Sequence, residues 1–170
     1  ADGHETAAAW IAALKSGQPT CLILTRQNVP NYKETTKEAL RGGYVFKDDD
    51  DPDVILLASG SELQCVVEAE SILRSECIRV KVVSMPSMEM FLKQPATYQQ
   101  EVINPTLRHR VSIEAASTMP WYRFVGLDGT TIGLDHFGAS APADQLFALY
   151  GITTEHVVSA AKNLLDTARK

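Results

Sequence analysis

No stretch of this 170-residue sequence approaches the ~20 consecutive apolar residues needed to cross a bilayer. The amino end carries neither a signal peptide nor a transit-like amphipathic start. Cysteine is scarce: Cys21, Cys65 and Cys77 are an odd number with no C-x-x-C pair, which argues against a disulfide framework or a zinc site and fits a reduced cytoplasm. Basic clusters are missing too. Sixteen Lys and Arg stand against 21 Asp and Glu, the net charge is -5 and the pI is near 5.3, so no nucleic-acid partner is expected. G-x-G-x-x-G, the phosphate-loop lysine and the G-x-S-x-G nucleophile elbow are all absent. The histidines at 4, 109, 136 and 156 are dispersed, with neither metal spacing nor the base-and-acid arrangement of a hydrolase. An initiator methionine is also lacking, and the chain reads as a piece of something longer.

What remains is ordinary globular material, 45% hydrophobic and 22% charged, long enough for one domain or for one domain plus part of another. Asp2 and Glu5 form a plausible capping box. Ala7, Trp10, Ile11 and Leu14 then fall on one helical face, which Gly17 and Pro19 end. Cys21 to Thr25 reads as a strand, and the polar stretch from Asn28 to Arg41, ahead of Gly42 and Gly43, as a linker.

Beyond the linker the pattern becomes regular. Val54 to Ala58 is a continuous apolar run of the kind buried on both faces of a parallel sheet. A helix from about Glu62 turns Val66, Ala69 and Leu73 inward. Ile78 to Ser84 and Arg110 to Glu114 read as further strands, and Phe124 to Gly126 and Thr131 to Gly133 as short edge strands. Helices are expected at Met88 to Leu92, around Tyr98 and Val102, after Pro142 with Leu146, Leu149 and Tyr150, and finally with Val157, Ala161, Leu164 and Leu165 on one face. Alternating strands and helices predict an α/β fold with a mostly parallel sheet covered on both faces.

Few residues look chemical. The Asp48 to Asp51 run lacks the spaced ligands of a calcium loop and reads as a solvated turn. In S-G-S-E-L, Ser59 to Leu63, a glycine turn before a helix offers free backbone N–H groups to an anion, but a turn capped by Ser59 and Glu62 is the simpler reading. In F-G-A-S-A-P, Ser140 is a candidate cap and Pro142 suits a first helical turn. Glu114 ends a strand, where a ligand crevice and a structural hydrogen bond fit equally. Trp10 and Trp121 read as core or interface residues. Arg26 follows an apolar strand at its carboxyl end, where open α/β sheets gather ligands. Its guanidinium suits bidentate phosphate binding, and it suits equally an ion pair at a domain interface.

Five motifs in order, A-D-G-H-E-T-A-A-A-W, L-T-R-Q-N-V-P, A-S-G-S-E-L, V-V-S-M-P-S-M-E-M-F and F-G-A-S-A-P-A-D, closely resemble the carboxyl-terminal part of transketolase, and the similarity covers essentially the whole chain. The resemblance implies an enzyme that moves a two-carbon ketol unit from a ketose phosphate to an aldose phosphate in the pentose phosphate pathway. It implies thiamine diphosphate with Mg2+ or Ca2+ in the full enzyme, and active sites between two subunits. Residues 1–41 would be the end of the pyrimidine-binding domain with a linker, and residues 42–170 the carboxyl-terminal domain, a five-stranded mixed sheet with flanking helices. The family's T-R-Q arginine binds the substrate phosphate and falls on Arg26.

No catalytic, cofactor-binding or metal-binding residue carries over, since the segments that hold those groups in the family are not matched here. His4 stands where asparagine is usual, Met88 where tryptophan is common, and Ala116 and Pro120 where glycines are. The chain alone is therefore expected to be inactive and to bind no cofactor. Its expected partners are the remaining amino-terminal segments, a second copy in a homodimer, and a sugar phosphate. The alternatives are the small subunit of a split transketolase, acting as an interaction module, or a free-standing regulatory domain binding a phosphate or nucleotide at Ser59 to Glu62. The helix at Ala7 to Leu14 and the strand at Cys21 to Thr25, cut from their own sheet, should be disordered, dock on the remaining domain or pair with a second copy.

Overall fold

The structure, a computed structural model, describes residues 1–168. Five strands form one sheet: β1 (Tyr44–Lys47), β2 (Val54–Ala58), β3 (Val80–Ser84), β4 (Arg110–Ile113) and β5 (Thr130–Ile132), in the order β1-β3-β2-β4-β5. β2 pairs in parallel with β3 and β4, β4 pairs in parallel with β5, and β1 joins the edge antiparallel to β3. The α/β architecture and the mostly parallel five-stranded mixed sheet are as the sequence leads one to expect. β1 is the strand that sequence reasoning missed, because Y-V-F-K is only four residues long and sits behind two glycines.

Both faces are covered. Along β2, Val54, Leu56 and Ala58 face one apolar cluster and Ile55 and Leu57 the other, so all five are fully buried. The first cluster is closed by α2 (Leu63–Ser75), through Val66, Ala69 and Leu73, and by α7 (Thr154–Ala168), through Val157 and Ala161. The second is closed by α3 (Met88–Leu92), α4 (Ala96–Val102) and α5 (Tyr122–Val125), whose Phe91, Val102 and Phe124 pack beside Trp121. At ~1.5–3 kcal/mol for each large apolar side chain withdrawn from water, these two clusters dominate the stability of the domain.

Of the three expectations for α1 (Gly3–Ser16), docking on the remaining domain is the one seen, through Glu5 and Ala8. Ala8 and Glu5 are buried, while the predicted apolar face lies open, Trp10 at 55% and Leu14 at 80% exposure. Cys21 to Thr25 is not a strand. It pairs with no described strand, and Ile23 is 92% exposed; a lone extended segment has no ladder in which to satisfy its backbone. Phe124 to Gly126 is also not a strand, because Phe124 and Val125 belong to α5 and fill the second cluster.

α6 (Ala143–Tyr150) rests on Phe147 and Tyr150, leaving the expected core residue Leu149 70% exposed. Ser140 caps nothing there; the helix starts after Pro142, which sits before its first turn. Gly42, at φ 86, admits no side chain, since a Cβ would lie 2.4 Å from the Ser87 carbonyl oxygen.

Candidate functional site

The register aligns the carboxyl ends of all four parallel strands. Ala58 is level with Ser84 and with Ile113, and Ile113 with Ile132. The chain leaves β2 toward β3 on one side, and β4 then returns to the other side of β2. The gap between β2 and β4 is therefore the topological switch point, where open α/β sheets take their ligands.

In this chain the gap is closed by its own carboxylate. Glu62, buried in the short 3-10 turn Gly60–Glu62, accepts a hydrogen bond from the Ala115 backbone N–H at 3.1 Å and one from the Ser61 hydroxyl at 2.5 Å. Burial pushes the Glu62 carboxyl above its usual range; the bonds from Ser61 and Ala115 only partly offset that, and nearby Glu114 adds to it. The expected capping box is not formed, because Ser59 makes no side-chain cap and Glu62 has turned to Ala115.

The rest of this rim is built largely alike: its carboxylates take most of their bonds from uncharged donors, and Glu5 also pairs with the Ala1 ammonium. Glu5 accepts from the Tyr44 hydroxyl at 2.9 Å and the Ser84 hydroxyl at 2.5 Å. Asp2 accepts from the backbone N–H groups of Glu5 and Tyr32 and from the Thr35 hydroxyl. Burial works to raise the Asp2 carboxyl, but these bonds prevail and hold it below its usual range. Glu114 accepts from the Trp121 indole N–H at 2.8 Å, which is the structural reading of that residue, and Trp121 lies in the core while Trp10 does not.

Arg26 is exposed in the coil that follows α1, and no salt bridge engages it among the described residues. Its neighbour Gln27 donates its amide N–H to the Ser61 hydroxyl oxygen at 2.9 Å, which brings the T-R-Q segment to the switch point. Sequence reasoning singles out Arg26 and the S-G-S-E-L turn separately; nothing in the separation of Gln27 and Ser61 by 34 residues along the chain signals the contact.

The opposite, amino-terminal rim carries cations, and they are engaged. The acidic run there is not merely a solvated turn: Asp48 pairs with Lys81 at 3.1 Å, Asp49 with Arg74, and Asp51 with Arg79, which also holds Asp53. A cavity of about 100 Å³ lined by Arg108, Arg110 and Asp128 lies on this rim. Arg108 pairs with Asp128, and Arg110 donates to the carbonyls of Leu107, Phe124 and Asn104.

Against known proteins, the family model described as transketolase-like TK C-terminal domain matches residues 42–153. The chain is 44% identical to the transketolase of Bacillus subtilis (strain 168) over 173 residues, 98% of this chain and 26% of that protein. The chain belongs to the transketolase family. Solved transketolases superpose closely: that of Leishmania mexicana at TM-score 0.92 with 39% identity over 98% of this chain and 24% of that one, and that of Pichia stipitis in complex with sedoheptulose 7-phosphate at 0.91 with 35% identity over 99% and 25%. The chain thus spans about a quarter of the length of the transketolases it matches.

Transketolase homology implies thiamine diphosphate and a divalent metal for the whole enzyme. Among the described residues no three His, Cys, Asp or Glu side chains are grouped to hold a metal ion, and the carboxylates of the carboxyl rim are bound to hydroxyl, amide and indole donors and, at Glu5, to the Ala1 ammonium. No residue of the chain is assigned to either group. No described helix is long and apolar enough to cross a membrane.

Proposed function

We propose that this chain is the carboxyl-terminal, substrate-gripping portion of a transketolase that transfers a two-carbon ketol unit from a ketose phosphate to an aldose phosphate. In this reading residues 1–41 end the pyrimidine-binding domain and residues 42–170 form the carboxyl-terminal domain. Arg26 holds the phosphate of the sugar. Thiamine diphosphate supplies the carbon centre that carries the ketol unit, and it is held with its Mg2+ or Ca2+ by segments outside this chain. The enzyme works as a cytoplasmic homodimer in the pentose phosphate pathway.

The observation that carries the proposal is identity of 44% across 98% of the chain to a transketolase, with Arg26 inside the matched segment. A relative of the same fold is solved with a sugar phosphate bound, which favours the substrate class. The exposed guanidinium, free of any carboxylate among the described residues, is chemically suited to a phosphate dianion. The open faces of α1 and of Cys21 to Thr25 fit burial against the rest of a pyrimidine-binding domain.

The test is ketol transfer from xylulose 5-phosphate to ribose 5-phosphate with thiamine diphosphate and magnesium, run on the chain alone and after addition of the amino-terminal segments. Activity only in the mixture, lost with Arg26→Ala, is the expected result, because positioning groups contribute only where the bond-making groups are present. Activity from the chain alone would overturn the account of where the chemistry resides. An Arg26→Ala mixture as active as the parent would remove Arg26 from the site.

A further inference from the structure

The segment from Cys21 to Pro30 carries Arg26 but has no strand pairing to hold it. Its ends are fixed: Gly17 stops α1, and the backbone N–H of Tyr32 and the hydroxyl of Thr35 are bound by Asp2. Between those anchors, among the described residues, the hydrogen bond from Gln27 to Ser61 is the one that ties the segment to the sheet domain.

That bond has a direction. The single Ser61 hydroxyl proton is given to Glu62, so a lone pair of the same oxygen is left to accept from Gln27. Glu62 is in turn fixed by Ala115, just past the end of β4. Gln27, Ser61, Glu62 and Ala115 therefore form one continuous relay. Its far end is rigid backbone and its near end is the residue bonded to Arg26. Chains of this kind polarise one another and hold a geometry better than an isolated surface contact does.

Resting on the reading of Arg26 as the phosphate-holding residue, we infer that Ser61, oriented by Glu62, is a positioning residue. It sets Arg26 over the switch point, so the β2–α2 turn of the carboxyl-terminal domain determines how tightly the enzyme holds the phosphate end of its sugar substrates. The turn contributes no group to bond making. Its work is to lower the freedom of a long, flexible cation before the substrate arrives.

The experiment uses the whole transketolase that contains this chain, with ribose 5-phosphate and unphosphorylated ribose as alternative acceptors. Ser61→Ala and Gln27→Ala are each expected to raise KM for ribose 5-phosphate about 3- to 10-fold, the scale of one hydrogen bond, with kcat within about 2-fold. Neither should change kcat/KM for ribose, and Ser61→Thr, which keeps the hydroxyl, should restore KM. In an Arg26→Ala background, Ser61→Ala should add nothing further.

Gln27 lies in exposed coil, so its replacement tests the relay even if Ser61→Ala disturbs the turn. Equal losses with both acceptors, unchanged KM in both variants, or effects that add to Arg26→Ala would overturn the inference while leaving Arg26 in place. An Arg26→Ala enzyme that treats the two acceptors as the parent does would instead overturn the phosphate reading itself.

Discussion

The two rims of the sheet solve the same problem, how to keep carboxylates at strand ends, by opposite chemistry. At the amino rim Asp48, Asp49, Asp51, Asp53 and Asp128 meet Lys81, Arg74, Arg79 and Arg108, mostly in water. At the carboxyl rim Asp2, Glu5, Glu62 and Glu114 meet mainly hydroxyls, backbone N–H groups and an indole, with the Ala1 ammonium beside Glu5 as the one cation paired there among the described residues outside histidine, and the first three are buried. Ion pairs near water tolerate poor geometry and contribute little each. A buried carboxylate held by neutral dipoles, as Glu62 is, demands well-placed donors and leaves its negative charge unneutralised. The amino rim thus closes the molecule electrostatically. The carboxyl rim fixes positions, of α1 through Asp2 and Glu5 and of the Arg26 segment through Ser61 and Glu62.

The sharpest way to break this contrast is at Glu5. Glu5→Ala leaves the buried Tyr44 and Ser84 hydroxyls without their acceptor and should cost about 3 kcal/mol of unfolding free energy, read from urea midpoints. Glu5→Gln, which keeps one acceptor oxygen, should cost about 1 kcal/mol. Equal, small losses for both would mean that the carboxyl rim is no more demanding than the other.

Acid separates two carboxylates of the same rim. The Asp2 carboxyl is held low in the fold, so its contribution is present above the unfolded value of about 3.9 and is lost as pH falls through the folded one. Glu62 is raised by burial. Stability on its account is fullest below about 4.3, its unfolded value, and declines as pH rises through the higher folded value. Urea midpoints between pH 3 and pH 7 should therefore flatten on the acid side in Asp2→Asn and lose their decline above it in Glu62→Gln.

At the amino rim effects shrink. Asp48→Asn leaves the Lys81 ammonium with the Glu101 carbonyl, and should cost roughly 1 kcal/mol at low salt and less as salt is added. A loss that does not respond to salt would show that this rim is not held by screened ion pairs.

How much of this was legible in the sequence follows from the range of the forces. Val54 to Ala58 and Met88 to Leu92 were read to the residue, because a continuous apolar run and a short helix before Pro95 are local signals. Cys21 to Thr25 carries the same apolar signal, yet a strand exists only with a neighbour, and none of the described strands is one. The apolar stripe of α1 also read correctly as a stripe; what it faces is not a local property. At the candidate site, Arg26 stands out by its position in the motif and its role remains the proposal above, while Gln27 to Ser61 and Tyr44 to Glu5 are long-range side-chain contacts that no spacing announces.

The smallest expected effect is also the most direct probe of charge at the carboxyl rim. Cys65 lies on α2, one turn beyond Glu62, and burial, followed by the charges of Glu62 and Glu68, pushes its thiol up to about 11. Cys21 and Cys77 are exposed. At pH 8 a thiol reagent should therefore modify Cys21 and Cys77 first and Cys65 slowly, with Cys65 catching up only as the pH approaches 11, since the thiolate is the reacting form. Glu62→Gln removes one of the negative charges and should speed Cys65 modestly at fixed pH, leaving Cys77 unchanged. If instead all three cysteines keep their rates in that variant, burial together with Glu68 accounts for the slow thiol. The unneutralised charge of the carboxyl rim would then not extend beyond the Glu62 relay.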